Sequence, residues 1–101
     1  MEGVSTLLFY EVVPDYIERR ASLRDEHLRL AHEAHARGEL LLAGAHTDEE
    51  GAFDGALFVF SSDDFAVAER FAQADPYVKN GLVTRHRIRK WNVVVGGLLS
   101  P

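Results

Sequence analysis

No cysteine occurs anywhere in the 101 residues. Disulfides, thiol nucleophiles and thiolate-bound metal are therefore excluded, and the chain fits a reducing compartment. Positive charge is also scarce, with 11 Lys and Arg against 16 Asp and Glu and a formal net charge of −5. A general nucleic-acid binder gains its affinity by neutralising phosphates, so that class is set aside. The apolar runs are far too short to span a bilayer. The opening Met1-Glu2-Gly3-Val4 lacks the basic start and long apolar stretch of a signal peptide. The expectation is one soluble, cytoplasmic domain over residues 1–101, with a tail from about 96, and no partnership with nucleic acid or membrane. A domain of this size buries only about two-thirds of its unfolded surface, so a second subunit would add useful burial.

Proline is rare too, with three in the chain, and two of them, Pro14 and Pro76, stand at predicted boundaries. Thr6–Val13 is aromatic and β-branched, ends at Pro14 and reads as a strand. From Tyr16 to Arg37 there is neither proline nor glycine, and Ala, Leu, Glu and Arg predict one helix that stops at Gly38. Strands are predicted over 39–44 and 55–60, joined by a polar loop over 45–54. A second helix follows over about 63–73. The segment 77–81 has room for one helical turn, and a last strand spans about 82–95. The order β-α-β-β-α-β is that of an α+β, ferredoxin-like domain, an antiparallel sheet with both helices on one face. The other face holds too many apolar side chains to stay wet. Two copies packed sheet against sheet would cover it as a homodimer.

Two residues carry the chemistry. Asp75 precedes Pro76, which bars the helical conformation at that position and fixes the direction of the carboxylate. Capping a turn is the plain alternative. His27 lies in register with Leu23 and Leu30 on the core-facing stripe, where an imidazole needs a hydrogen-bond partner. The topology makes a contact between the two feasible, and an aspartate there would fix the imidazole's tautomer for proton transfer. Arg20 and Arg24 precede His27 at helical spacing. His32 and His35 are one turn apart, but no third ligand is evident, so they read as rim histidines and no metal is predicted. His46 stands at the mouth of the hairpin loop, and His86 at a prospective subunit contact. Arg85, Arg87 and Arg89 form a row on one strand face that could receive an anionic substrate or a phosphate, but it is read as a solvated face open to pairing with the chain's carboxylates. Gly44, Gly51 and Gly55 serve turns and match no phosphate-binding pattern.

Arg24-Asp25-Glu26-His27-Leu28, Leu42-Ala43-Gly44-Ala45, Ala74-Asp75-Pro76-Tyr77 with Gly81-Leu82-Val83, and Trp91-Asn92-Val93 together resemble the YciI-like (YCII-related) family. The resemblance runs over nearly the whole chain, and its most specific part is the Asp-Pro-Tyr block with the upstream His-Leu. It departs at Ala45, where the family usually has proline. It implies a ferredoxin-like domain that dimerises into an α+β barrel, with His27 and Asp75 as an active pair. One branch of that family includes a dehydrochlorinase of a chlorinated hydroxyhydroquinone. The first functional expectation is then a cofactor-independent acid–base enzyme acting on a small cyclic or aromatic metabolite. His27 moves the proton, Asp75 orients it, Arg24 meets an anionic group, and Tyr77 and Trp91 line the pocket. A non-catalytic small-ligand-binding dimer is the alternative, and a purely structural dimerisation module a third.

Overall fold

The structure, a computed structural model, describes residues 3–96. Four strands form one antiparallel sheet: β1 (Gly3–Val12), β2 (Leu40–Thr47), β3 (Phe53–Phe60) and β4 (Val83–Val93), in the order β2-β3-β1-β4. Between them lie α1 (Tyr16–Arg20), α2 (Arg24–Ala36), α3 (Phe65–Ala74) and the single turn α4 (Pro76–Lys79). This is the expected α+β, ferredoxin-like arrangement. No helix among the described residues is long and apolar enough to cross a membrane.

The register separates the two faces of the sheet. Leu8 pairs with Phe58 and Ile88, and Tyr10 pairs with Ala56 and His86. Cross-strand partners share a face, so these residues all point towards the helices. Leu8, Tyr10, Phe58 and Phe60 are fully or almost fully buried there against Ala34, Ala68, Phe71 and Ala72. The alternate residues face the other way: Leu7 with Val59 and Arg89, Phe9 with Leu57 and Arg87, Glu11 with Gly55 and Arg85. The arginine row keeps to this face and finds partners on it. Arg87 lies over the Phe9 ring at 5.3 Å, and Arg85 approaches Glu11 at 3.8 Å.

Three local differences from the sequence reading have physical causes. The predicted first helix breaks into α1 and α2. Leu23 N–H closes a tight turn on the Arg20 carbonyl, and His27 N–H restarts the helix on the Leu23 carbonyl. The break lets Leu23 pack beside Tyr16, Tyr77 and Leu82, so tertiary burial overrides a continuous run of helix formers. The polar loop is shorter than expected, because Thr47 still pairs with Phe53. Asp48 closes that loop by accepting from the Glu50 and Ala52 N–H groups. Finally, His86 turns to the helix face, where its Nε2 lies 2.9 Å from a Glu69 carboxylate oxygen of α3. Of the expected tail, only Gly96 belongs to the described residues.

Candidate active site

The site is built where α3 ends. Asp75 has φ −71° and ψ 123°, an extended conformation that the following Pro76 enforces. Its N–H closes α3 onto the Phe71 and Ala72 carbonyls, and its carboxylate accepts from Tyr77 N–H to cap α4, with Pro76 at the first helical position. Asp75 is 0% exposed. Such burial is tolerable only when the carboxylate's lone pairs are filled. The Tyr10 hydroxyl donates to Oδ2 at 2.8 Å, and Tyr77 N–H donates to Oδ1 at 3.0 Å. His27 Nδ1 lies 2.9 Å from Oδ1 and 3.0 Å from Oδ2. The turn cap and the contact with the histidine, alternatives at the level of sequence, are two functions of one carboxylate.

An ionised carboxylate only accepts hydrogen bonds. The proton between the two groups therefore sits on His27 Nδ1, and in the neutral ring Nε2 keeps its lone pair. The ring is held by a near-parallel stack on Tyr77, with centroids 3.9 Å apart and planes 9° apart, and by an edge contact with Phe58. Nε2 meets no protein partner among the described residues, and His27 lines the cleft. One nitrogen is fixed by the protein and the other is presented to whatever the cleft holds.

That cleft has a volume of ≈ 550 Å³ and lies between α2 and β2, with Tyr10, Ala56 and Phe58 as its floor. Residues 24, 27, 28, 31, 32 and 35 of α2 form one wall and residues 40–45 of β2 the other. Ala45, where the family pattern has proline, continues the wall as a paired strand residue opposite Ala56. Arg24 and Arg20 both line the cleft although the helix is broken between them. His35 is tied by Nδ1 to the Leu40 carbonyl at 2.7 Å. His46 pairs with Asp54 at 2.6 Å on exposed β-hairpin residues, outside the cleft. No group of three or more candidate metal ligands occurs among the described residues.

Two expected lining residues stand elsewhere. Tyr77 is buried behind His27 and supports the ring from the side away from the cleft lining. Burial raises its hydroxyl pKa and nearby Tyr16 adds to this, while the approach of the Arg24 guanidinium to the hydroxyl, and then the Arg24 and Arg20 charges, act in the opposite direction. Its hydroxyl is the buried side-chain polar atom left without a hydrogen-bond partner among the described residues. Trp91 pairs with Ser5, so it projects from the sheet face opposite the helices and does not line the cleft of its own chain. Sequence reasoning passed over Tyr10. The available signal was a tyrosine inside a strand buried on both sides, whose hydroxyl must find a partner.

Tyr10 gives a pH prediction. Burial, followed by the Asp75 charge, raises its pKa far above the ordinary tyrosine value of about 10. The native state thus holds the phenol proton more tightly than the unfolded chain does. Its contribution is complete below pH ~10 and is lost above it, at about 1.4 kcal/mol per pH unit. In urea unfolding at pH 9 and 11, Tyr10→Phe is expected to be less stable at pH 9 by about 1–3 kcal/mol and to decline less steeply than wild type.

A family model described as the YCII-related domain matches residues 4–92. The chain belongs to the YCII-related family. Protein YciI from Escherichia coli O6:H1 is 30% identical over 86 residues, covering 79% of this chain and 88% of that protein. Among solved structures, the 5-chloro-2-hydroxyhydroquinone dehydrochlorinase TftG from Burkholderia phenoliruptrix, in complex with 2,5-dihydroxybenzoquinone, has a TM-score of 0.69. It is 16% identical, and the match covers 86% of this chain and 92% of TftG. A dimeric protein of unknown function and ferredoxin-like fold from Bacteroides fragilis has a TM-score of 0.56 at 10% identity, over 89% of this chain and 95% of that one. At these identities the structural likenesses establish the fold of this YCII-related chain, and its site must be argued from its own residues.

Proposed function

We propose that this YCII-related protein is a cofactor-independent acid–base enzyme of the lyase or isomerase type, acting on a small cyclic or aromatic metabolite. The observation that carries the reading is the fully buried Asp75, whose oxygens are occupied by Tyr10, Tyr77 N–H and His27 Nδ1. That arrangement leaves His27 Nε2 as the basic atom at the cleft. Nε2 takes a proton from an activated C–H or ring O–H, and the electron pair left behind moves into the ring. A leaving group then departs with its own bonding pair, or Nε2–H returns the proton to another ring atom. Asp75 stabilises the imidazolium between these steps without taking the proton. Arg24 receives an anionic substituent of the substrate, and Tyr77 fixes the plane of the imidazole. The TftG complex supports a small oxygenated ring as the substrate class.

The assembly proposed is a homodimer that packs the sheet faces opposite the helices, in agreement with the dimeric ferredoxin-like neighbour. Trp91, 45% exposed on that face, would then meet the second copy. Purified protein incubated with substituted hydroquinones, catechols and muconolactones is expected to turn over at least one of them. His27→Ala is expected to lose that turnover by 10²-fold or more, the usual weight of a general base. Saturable binding with no turnover across the set would instead make the cleft a binding site and the pair a structural device.

A further inference from the structure

The cleft is unlike the rest of the molecule in charge and larger than a single ring requires. No acidic residue among the described residues lines it. Its basic lining groups are Arg20, Arg24 and three histidines. Neither Arg20 nor Arg24 forms an ion pair with a carboxylate among the described residues, whereas Arg19, Arg29 and Arg37 each do. Arg20 is instead held against aromatic faces, 5.2 Å above Tyr16 and 5.5 Å from Phe53. Stacking orients a guanidinium while leaving its N–H edge open to a carboxylate. Both arginines stand at the α1/α2 end of the cleft.

Size gives the second constraint. A cavity of about 150 Å³ suffices for benzene, and this cleft offers ≈ 550 Å³. The lining stripe on α2 runs from residue 24 to residue 35, roughly 16 Å at 1.5 Å per residue. Beyond the arginines the middle of the cleft is aliphatic, with Leu28 and Ala31 on α2 and Leu41 and Ala43 on β2, and His32 and His35 stand towards the far end of the α2 wall. Head and body therefore have different surroundings along one axis, with His27 adjoining the cationic end.

We propose that the cleft binds a two-part amphipathic acid. Its carboxylate head is held by Arg20 and Arg24, and its apolar body, longer than one ring, lies between α2 and β2. This deepens the preceding proposal and rests on its assignment of the cleft as the binding site, not on proton transfer.

Calorimetric titration of the full chain with three probes tests it: biphenyl-4-carboxylate, its neutral isostere biphenyl-4-carboxamide, and benzoate. The biphenyl acid is expected to bind about tenfold or more tightly than either of the others, the size of a charge-assisted hydrogen bond or of a lost ring. In Arg20→Gln/Arg24→Gln the acid is expected to fall to the level of the amide, while the amide changes less than about threefold. Ala31→Trp, which fills the aliphatic part, is expected to weaken the biphenyl acid and spare benzoate. Thermal melts confirm that each variant is folded. The inference is overturned by equal binding of acid and amide, by benzoate matching the biphenyl acid, by a charge preference that survives the double substitution, or by no binding of any probe. None of these readouts uses turnover. A protein that shows the preference but is inert sinks the acid–base reading alone, and one that turns over small neutral rings without the preference sinks this inference alone.

Discussion

Asp75→Asn is expected to lower turnover by roughly 10³–10⁴-fold while leaving a folded protein. Asparagine keeps the size of the side chain and remains a good cap for α4. What it cannot do is accept at both termini. Its NH₂ group faces the Tyr10 hydroxyl and His27 Nδ1, both of which donate in wild type. Tyr10 can rotate its proton away, but an amide NH₂ at the Oδ2 position, 3.0 Å from Nδ1, favours the ring tautomer that carries its proton on Nε2 over a single Nδ1–H bond to the amide oxygen. The basic atom would point at the amide and the wrong nitrogen would face the cleft. The same change of tautomer behind a catalytic histidine costs about 10⁴ in the serine-protease triad. Stability is expected to fall by about 1–3 kcal/mol, the cost of imperfectly matched buried polar groups. Removing the side chain altogether, as in Asp75→Ala, leaves Tyr10 and His27 both unpaired and is expected to cost about 3–5 kcal/mol. Denaturant midpoints and initial rates on the same preparations separate the two effects.

The largest expected loss of stability outside the site itself comes from Gly55→Ala. Gly55 sits in β3 between Glu11 of β1 and His46 of β2. A Cβ added there would sit well inside contact distance of the Tyr10 carbonyl and of the His46 ring. The His46 side chain is exposed and can rotate away. The Tyr10 carbonyl is backbone, and moving it moves the strand that aims the Tyr10 hydroxyl at Asp75. Overpacking of this kind costs about 1–3 kcal/mol when the obstacle can yield, and here the expected value is about 3 kcal/mol or more. Thermal unfolding of Gly55→Ala beside Gly44→Ala makes the comparison internal. Gly44 lies in the neighbouring strand with open space around an added Cβ and an ordinary φ, so its variant is expected to melt close to wild type.

Different parts of the structure were legible in the sequence for different reasons. Strand and helix order followed from apolar periodicity and from the placement of Pro14, Gly38 and Pro76, which are local signals. Local signals raised the approach of His27 to Asp75, an imidazole on a core stripe and a carboxylate held before a proline, but it took the family pattern around both residues to favour it over a plain turn. The break between α1 and α2 was not legible, since nothing in Ala21-Ser22-Leu23 forbids a helix. It is the burial of Leu23 against Tyr16, Tyr77 and Leu82 that decides it. Trp91 illustrates a second limit. An aromatic at the end of a strand belongs to one face or the other according to register, and a shift of one residue exchanges them. Only the pairing with Ser5 assigns it. Tyr10 is the third case. Its role depends on a carboxylate 65 residues away in sequence, so its position in β1 marks it as buried but not as part of the site.

The claim on which the functional account depends is that His27, when neutral, carries its proton on Nδ1 and offers Nε2 to the cleft. Two-bond ¹⁵N–¹H correlation of the imidazole rings in uniformly ¹⁵N-labelled protein, at a pH where His27 is neutral, reads this directly. Wild type is expected to show a protonated Nδ1 and a lone pair on Nε2, with the assignment exchanged in Asp75→Asn. A wild-type ring protonated on Nε2, or a tautomer indifferent to the substitution, would contradict the account.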